Sequence, residues 1–421
     1  MWKQYFKQAI QSIRENPLVS TISIAGTALA IAMIMVVVLL FQIKNANYEP
    51  ETKRDRMLYV QGTRVSSISG NSHNNGSMSS EVVKECFYNL KTPEAVTASH
   101  TRDRSVSLPD KRLYNRYTIR YTDPGFWNVF EFRFLNGYPF SQEDFTSGLC
   151  KAVVTERFAR EIFGTKEALG KTFVVDFIPY TITGIVRPVS LAARDAYGDI
   201  WVPYTSNTTL TKPLPILGNM AGPFTVSILA KNKRDFDIIK EELKKRTEMY
   251  NAGKKDYNVN FMENPITKFD IAIGSTGFQK KSVKSYLIST GSLLLFLLLL
   301  PALNLTGVVQ SSVQKRREEI GTRKAFGANQ GQLVRQILYE NLILTLIGAL
   351  FGLLLSFAFL FIFKSFLLNK ETSLTWDMLF KPELFATALL FTILLNFFSA
   401  GIPAWRIARQ SIVESLNGQE K

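Results

Sequence analysis

One stretch of the sequence has nearly the glycine and lysine spacing of a nucleotide site. Gly164 and the Gly-Lys-Thr run at 170–172 occur in the order found in a phosphate-binding loop. Such a loop places about four residues between its glycines, follows a strand and opens a helix. Here five residues separate the glycines, and the stretch is predicted to follow a helix over 156–163 and to open a strand over 172–177. We therefore predict a turn at this position and no nucleotide bound by this chain.

Cysteine and histidine are too few and too scattered to predict a metal site. The histidines are His73 and His100, neither in an HExxH-like pattern, and the cysteines are Cys86 and Cys150. Zinc sites need Cys or His ligands at short, regular spacings. The sequence thus predicts no metal, no directly bound cofactor and no catalytic residue. A disulfide between Cys86 and Cys150 is allowed if their domain lies outside the cytoplasm, and the sequence leaves it open.

The densest run of charge lies in a short segment, 311–335, between two apolar stretches. Its Arg and Lys residues provide charge, Ile320 and Phe326 are available to pack, and Gly321 and Gly327 allow close backbone approach or a helix end. On these residues alone, docking to a partner and a simple topology signal are equally supported. The candidate docking residues are Arg316, Arg317, Glu318, Glu319, Ile320, Gly321, Arg323, Lys324, Ala325, Phe326, Gly327 and Ala328.

Four nearly uncharged segments place the chain in a membrane rather than on nucleic acid, despite a formal net charge of +15. A helix of about 20 apolar residues crosses a hydrocarbon core. The first apolar segment is too long for the core of a cleaved signal peptide. The predicted spans are 17–43, 285–310, 336–363 and 384–404.

A few polar or small residues inside the spans have more than one interpretation. Pro301 and Asn304 are either kink-forming and helix-bridging residues or tolerated irregularities. Glu340 either pairs with Arg335 or a partner at lipid level, or lies at the cytoplasmic edge. The Gly348-Ala349-Leu350-Phe351-Gly352 pattern predicts close approach of a neighbouring helix.

Lys and Arg in the short loops set the predicted orientation. Basic residues concentrate in 1–16, in the 311–335 loop and in the tail 405–421. By the positive-inside rule these segments share the cytoplasmic side. The short 364–383 loop and the large polar segment 44–284 then face outward. The 1–16 segment has helical spacing of its apolar residues and is predicted to be an amphipathic helix at the membrane surface.

The large polar segment is predicted to be an α+β domain. Alternating patterns predict strands over 116–122, 151–154, 172–177 and 180–186. Helical patterns predict helices over 82–90, 156–163 and 235–250. The polar stretch 66–80 is predicted to be a mobile loop. The predicted fold class is a membrane protein with four transmembrane α-helices and a large extracytoplasmic α+β domain between the first two.

Three stretches make the chain resemble the FtsX/MacB-like permease subunits of ABC transporters. Residues 318–340 are similar to the family's signature between the second and third spans. Residues 123–140 and 162–172 are similar to its extracytoplasmic core, and 403–408 (Pro-Ala-Trp-Arg-Ile-Ala) to its C-terminal pattern. Ile412 departs from the pattern, because the family usually carries proline there. The resemblance covers nearly the whole chain.

The resemblance implies a permease that is not itself an enzyme. A separate, dimeric ATP-binding subunit would grip the 311–335 loop of this chain and of a second permease, which is another copy or a paralogue. ATP hydrolysis there would move the extracytoplasmic domain, a mechanism called mechanotransmission. The family implies a split outward domain with an insert at about 125–185. The location implied is the bacterial inner membrane, with both termini cytoplasmic.

The implied activity is export or efflux of a substrate such as a peptide, drug or lipoprotein. A periplasmic adaptor and an outer-membrane channel are additional partners that the resemblance leaves open. The alternative is a membrane regulator that activates an envelope hydrolase, as division-related relatives do. Those relatives generally have a much smaller outward domain than 44–284, which favours the transporter.

Overall fold

The computed structural model describes residues 17–70, 72–110, 113–212, 217–315, 322, 329–367, 382–401 and 405. These residues belong to two compact units, one built of apolar helices and one formed mainly by Ile43–Val283. The predicted 1–16 helix lies outside the described residues. The same holds for most of the 364–383 loop and of the 405–421 tail, so those predictions stay predictions.

Helices in the described residues are numbered here in chain order, leaving out single turns. They are α1 (Pro17–Asn45), α2 (Phe126–Val129), α3 (Gln142–Thr146), α4 (Glu156–Phe163), α5 (Thr208–Thr211), α6 (Phe236–Ala252), α7 (Lys268–Ala272), α8 (Val283–Lys315), α9 (Gln330–Leu367) and α10 (Pro382–Asn396). A π-helical turn over Phe397–Gly401 continues α10.

The apolar unit is made of α1, α8, α9 and α10, one helix for each predicted span. Two stretches are long and apolar enough to cross a membrane by themselves: Ser20–Asn45, with mean hydropathy 2.8, and Val334–Phe363, with mean hydropathy 2.7. The apolar helical stretches Val283–Leu299 and Ala386–Asn396 are shorter. Side chains from three helices meet in one buried cluster that includes Ile34, Leu298 and Leu395.

The second unit is an α+β domain, as the sequence predicts. Its strands are β1 (Met57–Val60), β2 (Thr63–Ser67), β3 (His73–Gly76), β4 (Ala95–Ser107), β5 (Leu113–Thr122), β6 (Phe134–Gly137), β7 (Lys151–Thr155), β8 (Thr172–Val175), β9 (Ile178–Val186), β10 (Ile200–Pro203), β11 (Thr225–Leu229), β12 (Tyr257–Asn260) and β13 (Ile266–Thr267). The main sheet has the order β13-β1-β11-β4-β5-β10-β7-β9-β6, with β8 paired to β4 and β9. A smaller sheet has the order β12-β2-β3.

The main core lies between the sheet and the helices that cover it. Phe158 and Ile162 of α4 and Ile239 and Leu243 of α6 are buried against strand residues such as Ile119. Their spacings of four residues place each pair on one face of its helix. Strands β6 to β9 fall within or next to 125–185 and continue the same sheet. The insert boundary itself stays a prediction.

The predicted turn at 164–172 is confirmed. Helix α4 ends at Phe163, and Gly164 caps it in the left-handed region at φ +69°, with its N–H donating to the Arg160 carbonyl. Gly170 also has a positive φ, +74°, before β8 begins at Thr172. Both glycines stand where a side chain would strain the backbone. The segment is a helix-to-strand connection, which is the reverse of a phosphate-binding loop.

Two predictions in this unit are wrong in detail. The stretch 66–80, predicted to be a loop, contains strand β3, which pairs antiparallel with β2 from Thr63↔Gly76 to Ser66↔His73. Backbone pairing overrides its weak strand composition. The predicted 82–90 helix is shorter, an α turn over Ser80–Val82 followed by a π turn over Val83–Phe87.

The two cysteines are free thiols in this structure. Cys86 is buried and Cys150 is half-buried, so the disulfide that the sequence left open is not formed. Burial raises the pKa of the Cys86 thiol to about 12, which keeps it protonated and poorly nucleophilic. Within the described ranges, no group of three or more His, Cys, Asp or Glu residues could hold a metal ion.

Candidate functional site

The predicted docking loop connects two of the apolar helices. Helix α8 ends at Lys315 and α9 begins at Gln330, so 316–328 separates them along the chain. Of the twelve candidate docking residues, none is among the described residues. Their role in gripping a partner therefore stays a prediction, and the structure gives only the two helices that flank them.

Close packing of α9 on α1 involves the two glycines that the sequence singled out. A Cβ atom on Gly348 would lie 2.7 Å from the Thr27 Cβ, and one on Gly352 would lie 2.7 Å from the Ala28 carbonyl oxygen. Both distances are too short for any larger residue without movement of the helices. The predicted close approach is confirmed, and it fixes α9 against α1.

A polar contact joins α9 to α10 inside the apolar unit. The Asn341 side-chain amide donates to the Asn396 Oδ1 over 2.7 Å, and both residues are buried. In an apolar environment an amide without a partner is costly, so such pairs hold neighbouring helices together. Glu340, whose partner the sequence left open, accepts a hydrogen bond from Gln336, at 3.1 Å.

The chain enters and leaves the α+β unit through two segments that are joined to each other. We call residues 43–61 the outgoing segment and residues 261–283 the return segment. Their strands pair directly, with Leu58↔Thr267 and Tyr59↔Ile266 in register. Asn264 adds a side-chain bridge: its amide donates to the Gly62 carbonyl over 2.8 Å, and its oxygen accepts from the Gln61 N–H.

A buried group of charged and phenolic side chains ties these segments together; we call Tyr48, Glu51, Arg54, Asp195 and Lys268 the junction cluster. The side chains of Arg54 and Glu51 form an ion pair with no solvent exposure. The Lys268 ammonium lies 3.2 Å from Glu51 and 2.7 Å from Asp195. Glu51 of the outgoing segment is therefore shared by a cation on each segment.

Arg54 also fixes the backbone just beyond α1. Its guanidinium donates to the carbonyls of Ala46, at 2.9 Å, and Ala192, at 2.8 Å, and to the Tyr48 hydroxyl, at 2.6 Å. Burial alone would lower the pKa of Arg54, but the Glu51 carboxylate and nearby phenols hold that pKa above its usual value. The cation is thus permanent and its removal would leave several buried acceptors without donors.

Lys268 compensates the second carboxylate of the cluster. Burial would raise the pKa of Asp195, but Lys268, with help from Arg120 and Arg54, lowers it overall. Burial also raises the pKa of Tyr59, whose ring lies 4.8 Å from the Lys268 ammonium. The cluster therefore keeps its charges at neutral pH and acts as a fixed connection between the two segments.

The predicted family core motif, beginning at Asp123, forms a structural turn. The buried Asp123 carboxylate accepts bonds from the Thr97 hydroxyl, at 2.9 Å, the Ala98 N–H, at 2.7 Å, and the Phe126 N–H that opens α2. Burial raises the pKa of Asp123 to about 6. At Gly125 any Cβ would clash with the Val96 carbonyl. This motif positions α2 on the sheet, and nothing in its geometry suggests catalysis.

Comparison with known proteins agrees with this architecture. Residues 20–246 match the model of the MacB-like periplasmic core domain, and residues 291–412 match the model of the FtsX-like permease C-terminal region. The uncharacterized ABC transporter permease YknZ of Bacillus subtilis is 24% identical over 71% of this chain and 69% of its own length. A macrolide export ATP-binding/permease protein MacB of Burkholderia pseudomallei is 23% identical over 76% of this chain.

Solved structures are similar over part of the chain. The extracellular domain of YknZ covers 47% of this chain and 99% of its own length, at 16% identity and a TM-score of 0.35. The periplasmic region of MacB from Actinobacillus actinomycetemcomitans covers 51% of this chain and 94% of its own length, at 15% identity and a TM-score of 0.34.

The two matched models together describe a membrane permease with a periplasmic core domain. The chain belongs to the MacB/FtsX-like family of ABC transporter permeases. It spans 46% of the length of the Burkholderia MacB, whose name includes an ATP-binding part. The family thus implies an ATP-binding partner for this chain.

The junction cluster is the functional feature that sequence reasoning missed. Arg54 lies in a run of charged residues that is typical of a solvated surface. Its partner Ala192 is 138 positions away along the chain, so no local pattern predicts the contact. The one available signal was position, because the cluster lies where the chain leaves one apolar span and returns toward the next.

Proposed function

We propose that this chain is the permease subunit of a mechanotransmission-type ABC transporter. The chain would cross the membrane four times, with both termini and the 311–335 loop in the cytoplasm and the Ile43–Val283 unit outside. A separate ATP-binding subunit would grip that loop in two permease copies or in this chain and a paralogue. Closure of the ATP-binding dimer would then move α8 and α9, which flank the loop.

The junction cluster is the observation that supports this proposal. Motion of the apolar helices can reach the α+β unit only through the outgoing and return segments. Those segments share Glu51, which contacts Arg54 on one side and Lys268 on the other. Force on either segment is therefore borne by both, and the unit would move as one piece. An unlinked pair of segments would instead flex separately.

The proposed work of that motion is export or efflux of a peptide, drug or lipoprotein substrate handled on the outer side. The MacB name of several relatives includes macrolide export, which makes a drug one candidate substrate here. A periplasmic adaptor and an outer-membrane channel would complete the export path if the chain works in a tripartite assembly. The chain itself would not hydrolyse ATP.

Charge reversal in the docking loop tests the proposal. The variant Arg323→Glu/Lys324→Glu should lose co-purification with its ATP-binding subunit, because two cations of the grip become anions. The matched control is Arg234→Glu/Lys244→Glu, which makes the same charge change at two exposed positions of the α+β unit. Association that survives reversal in the loop would refute docking through these residues. Recovery of a cell-wall hydrolase in place of the ATP-binding subunit would favour the regulator alternative.

A further inference from the structure

A large polar cleft lies on the face of the main sheet within the α+β unit. Its volume is about 1570 Å³, and its walls come from β1, β4, β5 and β11 together with the loops around 191–197 and 221–223. Small-molecule pockets usually measure roughly 300–1,000 Å³. The cleft therefore has room for an extended chain of several residues, and a single small ligand would not fill it.

Cations outnumber acids along the walls of the cleft. The lining includes five basic and two acidic side chains: Lys44, Arg102, Arg120, Arg194, Lys268, Asp103 and Asp195. Asp195 is already paired with Lys268, at 2.7 Å. Lys44, Arg102 and Arg194 are exposed, and among the described residues none of the three has an ion-pair partner. Their charge is thus available to a ligand.

Arg120 adds a buried charge at the wall of the cleft that has no ion-pair partner in the described part of the chain. The residue is 5% exposed. Its guanidinium donates only to neutral oxygens: the Tyr197 carbonyl, at 2.8 Å, the Ser99 hydroxyl, at 2.8 Å, and the Arg194 carbonyl, at 2.7 Å. Taking a cation out of water is costly unless an anion compensates it. A carboxylate bound in the cleft would supply that compensation.

Hydroxyl groups line the remaining walls. Ser77, Thr101 and Ser227 all face the cleft, and hydroxyls can donate to or accept from a peptide backbone. Tyr59 and Phe278 offer aromatic surface in the same cleft. The cleft thus combines groups for a backbone with a surplus of positive charge.

We infer that this cleft binds an acidic peptide segment in an extended conformation, with a carboxylate held between Arg102, Arg120 and Arg194. The inference deepens the proposed function, on which it rests, because it names the class of ligand handled by the outward unit. Exposed arginines provide steering and specificity, and the buried Arg120 provides a fixed positive potential.

Fluorescence anisotropy on the full chain tests the inference. The protein is placed in phosphatidylcholine nanodiscs without any ATP-binding subunit, and the probe is a fluorescein-labelled hexaglutamate peptide. We expect saturable binding that weakens with added salt, and much weaker binding of hexaglutamine and hexalysine. No binding of hexaglutamate, or equal binding of hexaglutamine, would overturn the inference.

Paired variants show where the peptide binds. Arg102→Glu/Arg194→Glu should weaken hexaglutamate binding at least about tenfold, because like charges now face the ligand. Both positions are exposed, so the fold should persist, and Arg102→Gln/Arg194→Gln should give an intermediate loss. The control Arg234→Glu/Lys244→Glu lies outside the cleft and should change binding by less than about twofold. Equal losses in the cleft variant and the control would place binding elsewhere and reject the site.

The design separates this inference from the proposed function. Arg323→Glu/Lys324→Glu should leave hexaglutamate binding unchanged, since no ATP-binding subunit is present in the assay. If that variant keeps its ATP-binding partner while the cleft variant loses the peptide, the proposed docking fails and the cleft stands. If the partner is lost as expected but hexaglutamate never binds, the cleft inference fails alone.

Discussion

Removing the charge of Glu51 is the most informative single change in the α+β unit. Glu51→Gln keeps the size of the side chain but takes away the one carboxylate shared by Arg54 and Lys268. Arg54 then remains a fully buried cation without its ion pair. Breaking a buried pair in this way costs about 3–5 kcal/mol. Arg54 keeps its bonds to the Ala46 and Ala192 carbonyls, so we expect the lower end of that range.

That loss converts to a measurable shift in melting temperature. For a unit of this size, each kcal/mol lowers Tm by about 2–4 °C, so a loss of about 3 kcal/mol predicts a decrease of about 6–12 °C. Differential scanning fluorimetry of the full chain in detergent would follow it, because Trp201 is fully buried in this unit and reports its unfolding. Cleavage by protease near the outgoing segment should accelerate in parallel.

Glu241→Gln is the matched control for this change. Glu241 pairs with Lys245 on the exposed face of α6 at 3.9 Å, with both side chains more than half exposed. Exposed pairs contribute about 0–1 kcal/mol, so the control should lower Tm by only a few degrees at most. Equal effects of Glu51→Gln and Glu241→Gln would refute the claim that the junction cluster is a tight connection between the two segments.

Two other changes test separate parts of the structure. Gly352→Ala should destabilise the apolar unit by about 1–3 kcal/mol, because its Cβ would lie 2.7 Å from the Ala28 carbonyl oxygen; Gly291→Ala, with open space around it, should be neutral in the same thermal assay. Burial and Arg102 lower the pKa of His100 to about 4, against about 6.5 in the unfolded chain. Between those values only the unfolded chain binds the proton, so stability falls as pH drops from about 6.5 to 4. His100→Gln should lose less stability between pH 7 and pH 5, and an identical loss in both proteins would contradict this assignment.

Much of the local structure could be predicted because it depends on short-range patterns. The strands over 151–154 and 180–186 and the helix over 156–163 follow directly from alternation and helical spacing, and the structure confirms them. Gly348 and Gly352 were recognised because a small residue every fourth position is a helix-contact pattern in itself. Each of these features is decided by residues close together in the chain.

The features that could not be predicted depend on tertiary contacts. Strand β3 has a polar, glycine-containing sequence and exists because β2 supplies its backbone partners. The Glu51–Arg54 pair looks like solvated charge until Ala192 and Lys268 cover it. Likewise Arg102 and Arg194 are far apart in the sequence, and only the folded sheet brings them to one cleft. Register and long-range burial decide these sites.

Membrane topology carries the central claim most directly, since force must enter on one side and emerge on the other. Single cysteines are placed at Phe326→Cys, in the docking loop, and at Tyr138→Cys, which is 72% exposed in the α+β unit. The background is Cys86→Ala/Cys150→Ser, and the label is a membrane-impermeant maleimide applied to spheroplasts. We predict that position 138 is labelled in intact spheroplasts and position 326 only after they are permeabilised. Labelling of both positions from the same side would contradict transmission of force across the membrane by this chain.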